Sequence, residues 1–205
     1  GHEGLGGQEG EGQEVKRTGV APVGIVDLAD QPELREQAAA LLVDGFVAPR
    51  GWPTLELARA EVAAVLREGF ARAMVDGGVV TGWIGGLPEY NGRVWELHPL
   101  VVRPSCRRRG IGRALVEAFE EEAGRRGALT FTLGTDDDSG MTSLAHVDLY
   151  VDLPGHLARV RDVGRNHPFV FYRKLGYVVT GVMPDANGRG LPDIYMSKSS
   201  SRRAG

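Results

Sequence analysis

Two things are scarce in this sequence: cysteine, and long apolar runs. Cys106 is the only thiol in 205 residues, so no intramolecular disulfide can form, and a disulfide-stapled secreted scaffold is excluded. No apolar run approaches the roughly 18–20 residues that a membrane-spanning helix needs. The N-terminus lacks the basic-then-apolar order of a signal peptide, and no internal repeat stands out. A reducing, cytoplasmic location with no membrane partner is therefore expected. The net charge is −3, which provides no overall field to attract nucleic acid.

What is present fits one globular domain. With 42% hydrophobic and 25% charged residues, the chain is long enough for a single well-buried core. Residues 1–18, rich in Gly and Glu with almost no apolar content, cannot offset their ordering entropy and are expected to form a disordered leader or tag. The domain is expected over 19–198, with a frayed tail over 199–205.

Within that domain the pattern predicts an α+β layout. Ala21–Leu28 is a short β-prone run, and Pro32–Val43 has helical spacing behind a Pro start. Thr54 is the expected N-cap of a second helix over Leu55–Glu68. Phe70–Val75 and Val79–Leu87, joined by two glycines, read as a hairpin. A long strand follows over Arg93–Arg103, interrupted at Pro99 by a possible bulge. Then come a helix over Gly110–Arg126, a strand over Ala128–Gly134, and an insert over Thr135–Arg165 with a short helix after Pro154. Pro168–Leu175 is expected to be helical, and Tyr177–Met183 and Leu191–Lys198 to close the fold as a hairpin. Such an order implies a mixed, mostly antiparallel sheet, not a doubly wound one.

The first chemical signal is a run of positive charge. Arg103, Arg107, Arg108, Arg109 and Arg113 fall within eleven residues that contain no acid, and Gly110 and Gly112 sit where strand gives way to helix. Glycines there let the backbone turn and expose N–H groups, and the helix dipole adds a favourable field for a phosphate. Taken alone, the same pattern also fits a solvated basic turn. No Walker loop occurs, and the dinucleotide fingerprint lacks its third Gly. A pyrophosphate held outside a Rossmann fold is what remains.

Val101-Val102-Arg103-Pro104, followed by Arg107-Arg108-Arg109-Gly110-Ile111-Gly112, resembles the acetyl-CoA motif of the GNAT acetyltransferases. Phe171-Tyr172-Arg173-Lys174-Leu175-Gly176-Tyr177 resembles their second signature. The resemblance implies the GNAT fold, with helices on both faces of the sheet, and acetyl-CoA as co-substrate. It implies that Leu100, Val101 and Val102 hold the pantetheine arm. Arg107, Arg108, Arg109, Gly110, Ile111, Gly112 and Arg113 would hold the pyrophosphate, and Tyr172 would stand beside the thioester sulfur and stabilise or protonate the departing thiolate. An Asn commonly lies seven residues before that Tyr; Asn166 lies six before, and is carried over as a cofactor contact on that looser match.

The second signal is acidic. Gly127–Ala158 contains no Lys or Arg but five aspartates, including Asp136, Asp137 and Asp138 at the end of an expected strand. A carboxylate cluster there would orient a cationic substrate, although an acidic loop in solvent gives the same pattern. A calcium loop is not supported, because the distal Glu is missing from the pattern, and no metal is expected. Trp95-Glu96-Leu97-His98-Pro99-Leu100, Gly134-Thr135-Asp136-Asp137, Asp148-Leu149-Tyr150, Asn166-His167-Pro168-Phe169 and Pro184-Asp185-Ala186-Asn187-Gly188 together resemble one branch of the aminoglycoside 6'-N-acetyltransferases, over about Trp52 to Lys198. That resemblance implies an aminoglycoside substrate, antibiotic resistance and a homodimer.

An aminoglycoside amine is mostly ammonium at neutral pH, so a site must bind a cation, remove a proton and present the nitrogen to the thioester. Glu96 and His98 alternate along a strand and share one face. Glu96 is the first candidate for proton removal, His98 the second and Asp136 the third. Trp52, Tyr90, Glu96, Asp136, Asp137 and Asp138 are candidate substrate contacts. Acetylation of another cationic amine, such as a polyamine or a protein N-terminus, and a non-catalytic acetyl-CoA sensor are the alternatives.

Overall fold

A computed structural model describes residues 23–46, 51–164 and 166–201. The leader expected over 1–18, the start of the first β-prone run at Ala21 and Pro22, and the tail from 202 onward lie outside them. The elements are β1 (Gly24–Asp27), α1 (Arg35–Gly45), α2 (Leu55–Glu68), β2 (Phe70–Asp76), β3 (Val79–Glu89), β4 (Val94–Val102), α3 (Ile111–Arg125), β5 (Thr130–Asp136), α4 (Leu153–Ala158), α5 (Phe169–Lys174), β6 (Val178–Met183) and β7 (Asp193–Ser199). They form a seven-stranded sheet in the order β1-β2-β3-β4-β5-β7-β6. Every pairing is antiparallel except β4 with β5, which α3 connects.

Alternation along the strands sorts the core onto two faces. Ala71, Ala73, Trp83 and Val101 pack under α1 and α2, against Ala38, Leu41, Leu42, Ala58, Val62 and Val65. Phe70, Ile84, Trp95, Leu97, Phe131 and Leu133 pack on the other face, against Leu115, Val116 and Phe119 of α3 and Phe169 of α5. Trp83 is fully buried and donates its indole N–H to the Ala38 carbonyl at 3.0 Å, so its one polar atom has a partner. Thr54 caps α2 as its sequence predicts, accepting the Leu57 N–H at 3.3 Å.

The irregularity at Pro99 creates the cleft. Ile84 pairs with Leu100 and Gly86 with Leu97, so the single residue Gly85 stands opposite both His98 and Pro99. The extra residue is a β-bulge, and it inverts the facing of the residues beyond it. Leu97 packs on the α3 face before the bulge, and Val101 packs on the α1/α2 face after it. Gly85 has no Cβ because one would run into the His98 carbonyl oxygen. β4 pairs with β5 only over Val94–Glu96, whereas it follows β3 through Val102. From Leu97 onward the two parallel strands separate, and an edge of β4 is left open in mid-sheet.

Several expected boundaries shift by one to three residues; the first helix, expected over Pro32–Val43, runs Arg35–Gly45 behind a 3-10 turn at Pro32–Leu34. β5 runs Thr130–Asp136, not Ala128–Gly134, because its register with β7 holds through Asp136 opposite Asp193. β7 extends through Ser199, and Ser200 N–H bonds the Leu129 carbonyl at 3.0 Å, so the described start of the tail is tied to the sheet.

Candidate active site

Two cavities lie in the opening between β4 and β5. One, of about 730 Å³, is lined by Leu100, Val101, Val102, Arg107, Arg108, Gly110, Ile111, Gly112, Arg113, Asn166 and Tyr172, among others. This brings together most of the residues assigned to the cofactor. Gly110 holds φ +81°, a left-handed conformation that costs glycine little, and starts α3. Ala114 N–H bonds the Gly110 carbonyl, so the N–H groups of Ile111, Gly112 and Arg113 belong to the first turn and find no acceptor within the helix. With the helix dipole behind them they make an anion cradle. Two arginines do not join it. Arg103 donates to the Val80 carbonyl at 3.1 Å, and Arg109 turns to the sulfur of Cys106 at 3.9 Å. Although Cys106 lines the cofactor cavity, Arg109 does not; it lines a separate, smaller cavity with Val23, Met74 and Thr81.

The second cavity, of about 650 Å³, is lined by Phe46, Trp52, Glu61, Leu97, His98, Leu100, Asp136, Asp138 and Tyr172, among others. Phe46, Leu100, Pro168 and Tyr172 line both, so the cavities meet there. Tyr172 is almost fully buried, and burial pushes its hydroxyl pKa well above the usual phenol range. It is therefore a neutral O–H donor at any physiological pH. A third cavity, between the insert and the β6–β7 connection, is lined by His146, Tyr150, Asp185 and Arg189 and shares no lining residue with these two.

Polar side chains from three elements converge on the second cavity. On β4, Glu96 is half-buried, and desolvation raises its carboxyl above the ordinary value, with His98 pulling it back. It does not itself line the cavity; it lies two residues before His98, which does, and its charge acts on both His98 and Asp193. His98 Nε2 lies 3.3 Å from Glu61 Oε1 on α2, and the Trp52 indole N–H donates to the other carboxylate oxygen at 3.2 Å. The hydrogen bond to Glu61 raises the His98 pKa, and that to His98 lowers the pKa of Glu61. At the end of β5, Asp136 stands opposite Asp193, whose carboxyl is pushed up to about 6, first by burial and then by Asp136.

Two sequence-assigned contacts fall elsewhere. Tyr90 sits in the turn between β3 and β4, 74% exposed, at the end of β4 remote from the bulge. Asp137 is fully buried and points into its own loop, accepting from Met141 N–H at 2.5 Å, Thr142 N–H at 2.9 Å and the Thr142 hydroxyl at 2.7 Å. The triple aspartate therefore divides: Asp136 and Asp138 face the cavity and Asp137 folds the insert. Sequence reading missed Glu61 and Asp193. Glu61 had one signal, a carboxylate adjoining the buried stripe Ala58, Val62, Val65 of α2. His167 has a structural part: Nδ1 accepts the Phe169 N–H at 3.1 Å, which leaves Nε2 to donate to the Asp136 carbonyl at 3.0 Å. It ties the end of β5 to the start of the helix that carries Tyr172.

The acetyltransferase (GNAT) family model matches residues 31–145, more than half of the chain. The chain belongs to the GNAT acetyltransferase family. Among solved structures, this acetyltransferase is similar to an aminoglycoside 6'-N-acetyltransferase complexed with coenzyme A, at 38% identity and a TM-score of 0.81, over 89% of this chain and 99% of the other. An aminoglycoside 6'-N-acetyltransferase from Enterococcus faecium is also 38% identical, with a TM-score of 0.78 and the same coverage. A type Ii aminoglycoside 6'-acetyltransferase is 36% identical, with a TM-score of 0.66, over 88% and 99% of the two chains. No curated protein sequence matches significantly.

The cofactor half of the site fits acetyl-CoA as a family member requires. The open edge of β4 offers backbone groups to an extended amide-bearing arm, and the first turn of α3 offers N–H groups to a pyrophosphate. Among the described residues, no group of three or more His, Cys, Asp or Glu is arranged to hold a metal ion, and no helix is long and apolar enough to cross a membrane.

Proposed function

We propose that this acetyltransferase transfers the acetyl group of acetyl-CoA directly to the 6'-amine of aminoglycoside antibiotics and so confers resistance to them. The observation that carries this reading is the charge-sorted pair of cavities meeting at Tyr172, one with an anion cradle and one bounded by Glu61, Asp136 and Asp138. The identity to aminoglycoside 6'-N-acetyltransferases over nearly their whole length supports the choice of acceptor.

The acceptor arrives as an ammonium, drawn by the carboxylates. Glu96 takes its proton, directly or through water; a carboxyl raised by burial is a better base than an ordinary one. The free amine nitrogen bonds to the thioester carbonyl carbon, and the C–S bond breaks with its electron pair on sulfur. The thiolate takes the Tyr172 hydroxyl proton, and the second proton of the attacking nitrogen returns to the Tyr172 oxygen through water. No enzyme nucleophile is needed; Cys106 is buried and lines the cofactor cavity but not the acceptor cavity. Glu96 is the base in preference to His98, because the Glu61 hydrogen bond favours the protonated imidazole. Trp52 offers a flat wall to a sugar ring, while Asp136 and Asp138 hold further ammonium groups. Leu100 to Val102, Arg107, Arg108, Gly110 to Arg113 and Asn166 hold the cofactor. The enzyme acts in the cytoplasm as a homodimer, with no nucleic-acid or membrane partner.

The test is release of CoA thiol with kanamycin or tobramycin, compared with spermidine. Release with the aminoglycosides at a kcat/KM well above that with spermidine is expected. Acetyl-CoA binding without release on any aminoglycoside would overturn the assignment.

A further inference from the structure

Glu61 lines the acceptor cavity, yet cofactor binding, proton transfer and the holding of further ammonium groups leave it without an individual part. It comes from α2, a helix whose other inward residues are apolar. Its two oxygens are divided between two partners from different parts of the chain. Oε2 accepts the Trp52 indole N–H at 3.2 Å, from the segment before α2, and Oε1 meets His98 Nε2 at 3.3 Å, at the bulge of β4. The Trp52 and His98 rings consequently stand 6.0 Å apart, tilted by 54°. Phe46 packs edge-on against Trp52 at 5.1 Å and also lines both cavities. Indole and imidazole would otherwise each rotate about two side-chain bonds, and the Trp52 segment has no strand to hold it. A carboxylate gripping both restricts them together.

We propose that Glu61 is a positioning residue that locks Trp52 to His98 and thereby shapes the acceptor side of the cleft. This inference rests on the acetyl-transfer reading of the same site. It makes no use of the cofactor cavity, which Glu61 does not line. The same hydrogen bond keeps His98 protonated to higher pH than a free imidazole. Burial opposes that, and Glu96 on β4 is the other charged group that adds to it. Loss of the Glu61 carboxylate therefore frees the ring to rotate and lowers its pKa together.

Three variants test this: E61A, E61Q and W52F, which keeps a ring but has no indole N–H. Steady-state KM for kanamycin and for acetyl-CoA is measured for each, with thermal unfolding as a check on folding. The His98 ring is titrated by NMR in the acceptor-free enzyme. E61A is expected to raise the kanamycin KM roughly 10-fold or more, the scale seen when an orienting partner is removed. The acetyl-CoA KM should stay within about 2-fold, because its cavity is untouched. E61Q, which keeps an oxygen for the indole, should lose less than E61A, and its His98 midpoint should fall. A rise in both KM values together, or an unmoved His98 midpoint in E61Q, would overturn the proposal. If E61A does not fold, W52F must by itself raise the kanamycin KM alone. The titration needs no acceptor, so it judges Glu61 even if kanamycin proves not to be a substrate.

Discussion

The two halves of the cleft are built from different materials. The cofactor half takes its polar groups largely from one stretch of backbone, the open edge of β4 and the first turn of α3, with Arg107, Arg108 and Arg113 also in its lining. It comes from one stretch of about a dozen residues and one short helix. The acceptor half is mostly side chain, drawn from Trp52, α2, the bulge of β4 and the end of β5. Backbone donors are rigid and indifferent to most substitutions, which suits an unvarying polyphosphate. Side-chain carboxylates and aromatics can be exchanged one at a time, which suits an acceptor that varies. Damage to the first half should therefore appear in acetyl-CoA binding, damage to the second in acceptor binding, and damage at their junction in turnover.

The junction gives the largest effect. Tyr172→Phe should lower kcat by roughly 100-fold while leaving the acetyl-CoA KM nearly unchanged, as loss of a general acid does. Single-turnover kinetics checks this, and an unaltered rate would remove Tyr172 from the chemistry. Next comes Glu96→Gln, for which kcat should fall by about 10- to 100-fold. Because burial raises the Glu96 carboxyl and the base must be ionised, wild-type activity should fall with decreasing pH through a midpoint above the ordinary carboxylate value. That limb should vanish in the variant; normal rates with only a shifted acceptor KM would make Glu96 a binding group.

A backbone change sharpens the contrast from the cofactor side. Gly110→Ala has open space for its methyl group but must hold φ +81°. It should cost about 1 kcal/mol in stability, raise the acetyl-CoA KM and leave the acceptor KM unchanged. Thermal unfolding and initial rates measure the two parts. The smallest effect is expected from Asp193→Asn. In the native state the Asp193 carboxyl is pushed up to about 6 from a reference of 3.8, so the fold binds this proton more tightly than the unfolded chain does. Stability from this group is therefore full below the unfolded value and is lost as pH rises through about 6. The variant should gain on the order of 1 kcal/mol at pH 7.5, discounted for solvent screening, and little at pH 4. Equal gains at both pH values would mean that the carboxylate is not strained by its neighbours.

Much of this was legible before folding. Thr54 and Leu55–Glu68, the Gly77-Gly78 hairpin, the stripe of α3 and the basic turn ahead of it are local patterns, and local patterns survive in the fold. Pro99 announced a break in its strand, and a bulge stands there. The pairing partners were not legible. Asp193 reads as a residue of a closing hairpin, yet register places it against Asp136 on a strand 57 positions earlier in the chain. The same holds within Asp136-Asp137-Asp138, where strand alternation and a tight loop send the middle carboxylate inward.

The sequence by itself determined the α+β class, the presence and order of the longer helices and the basic glycine turn ahead of α3, because each depends on residues within a turn or two of one another. Only the tertiary structure decided which carboxylates line the second cavity, since that depends on where β4 parts from β5 and on what α2 lays across the gap. The absence of a second cysteine, and of any Lys or Arg from Gly127 to Ala158, narrowed the chemistry from the outset. The fold then sorted the remaining charges between two adjoining cavities.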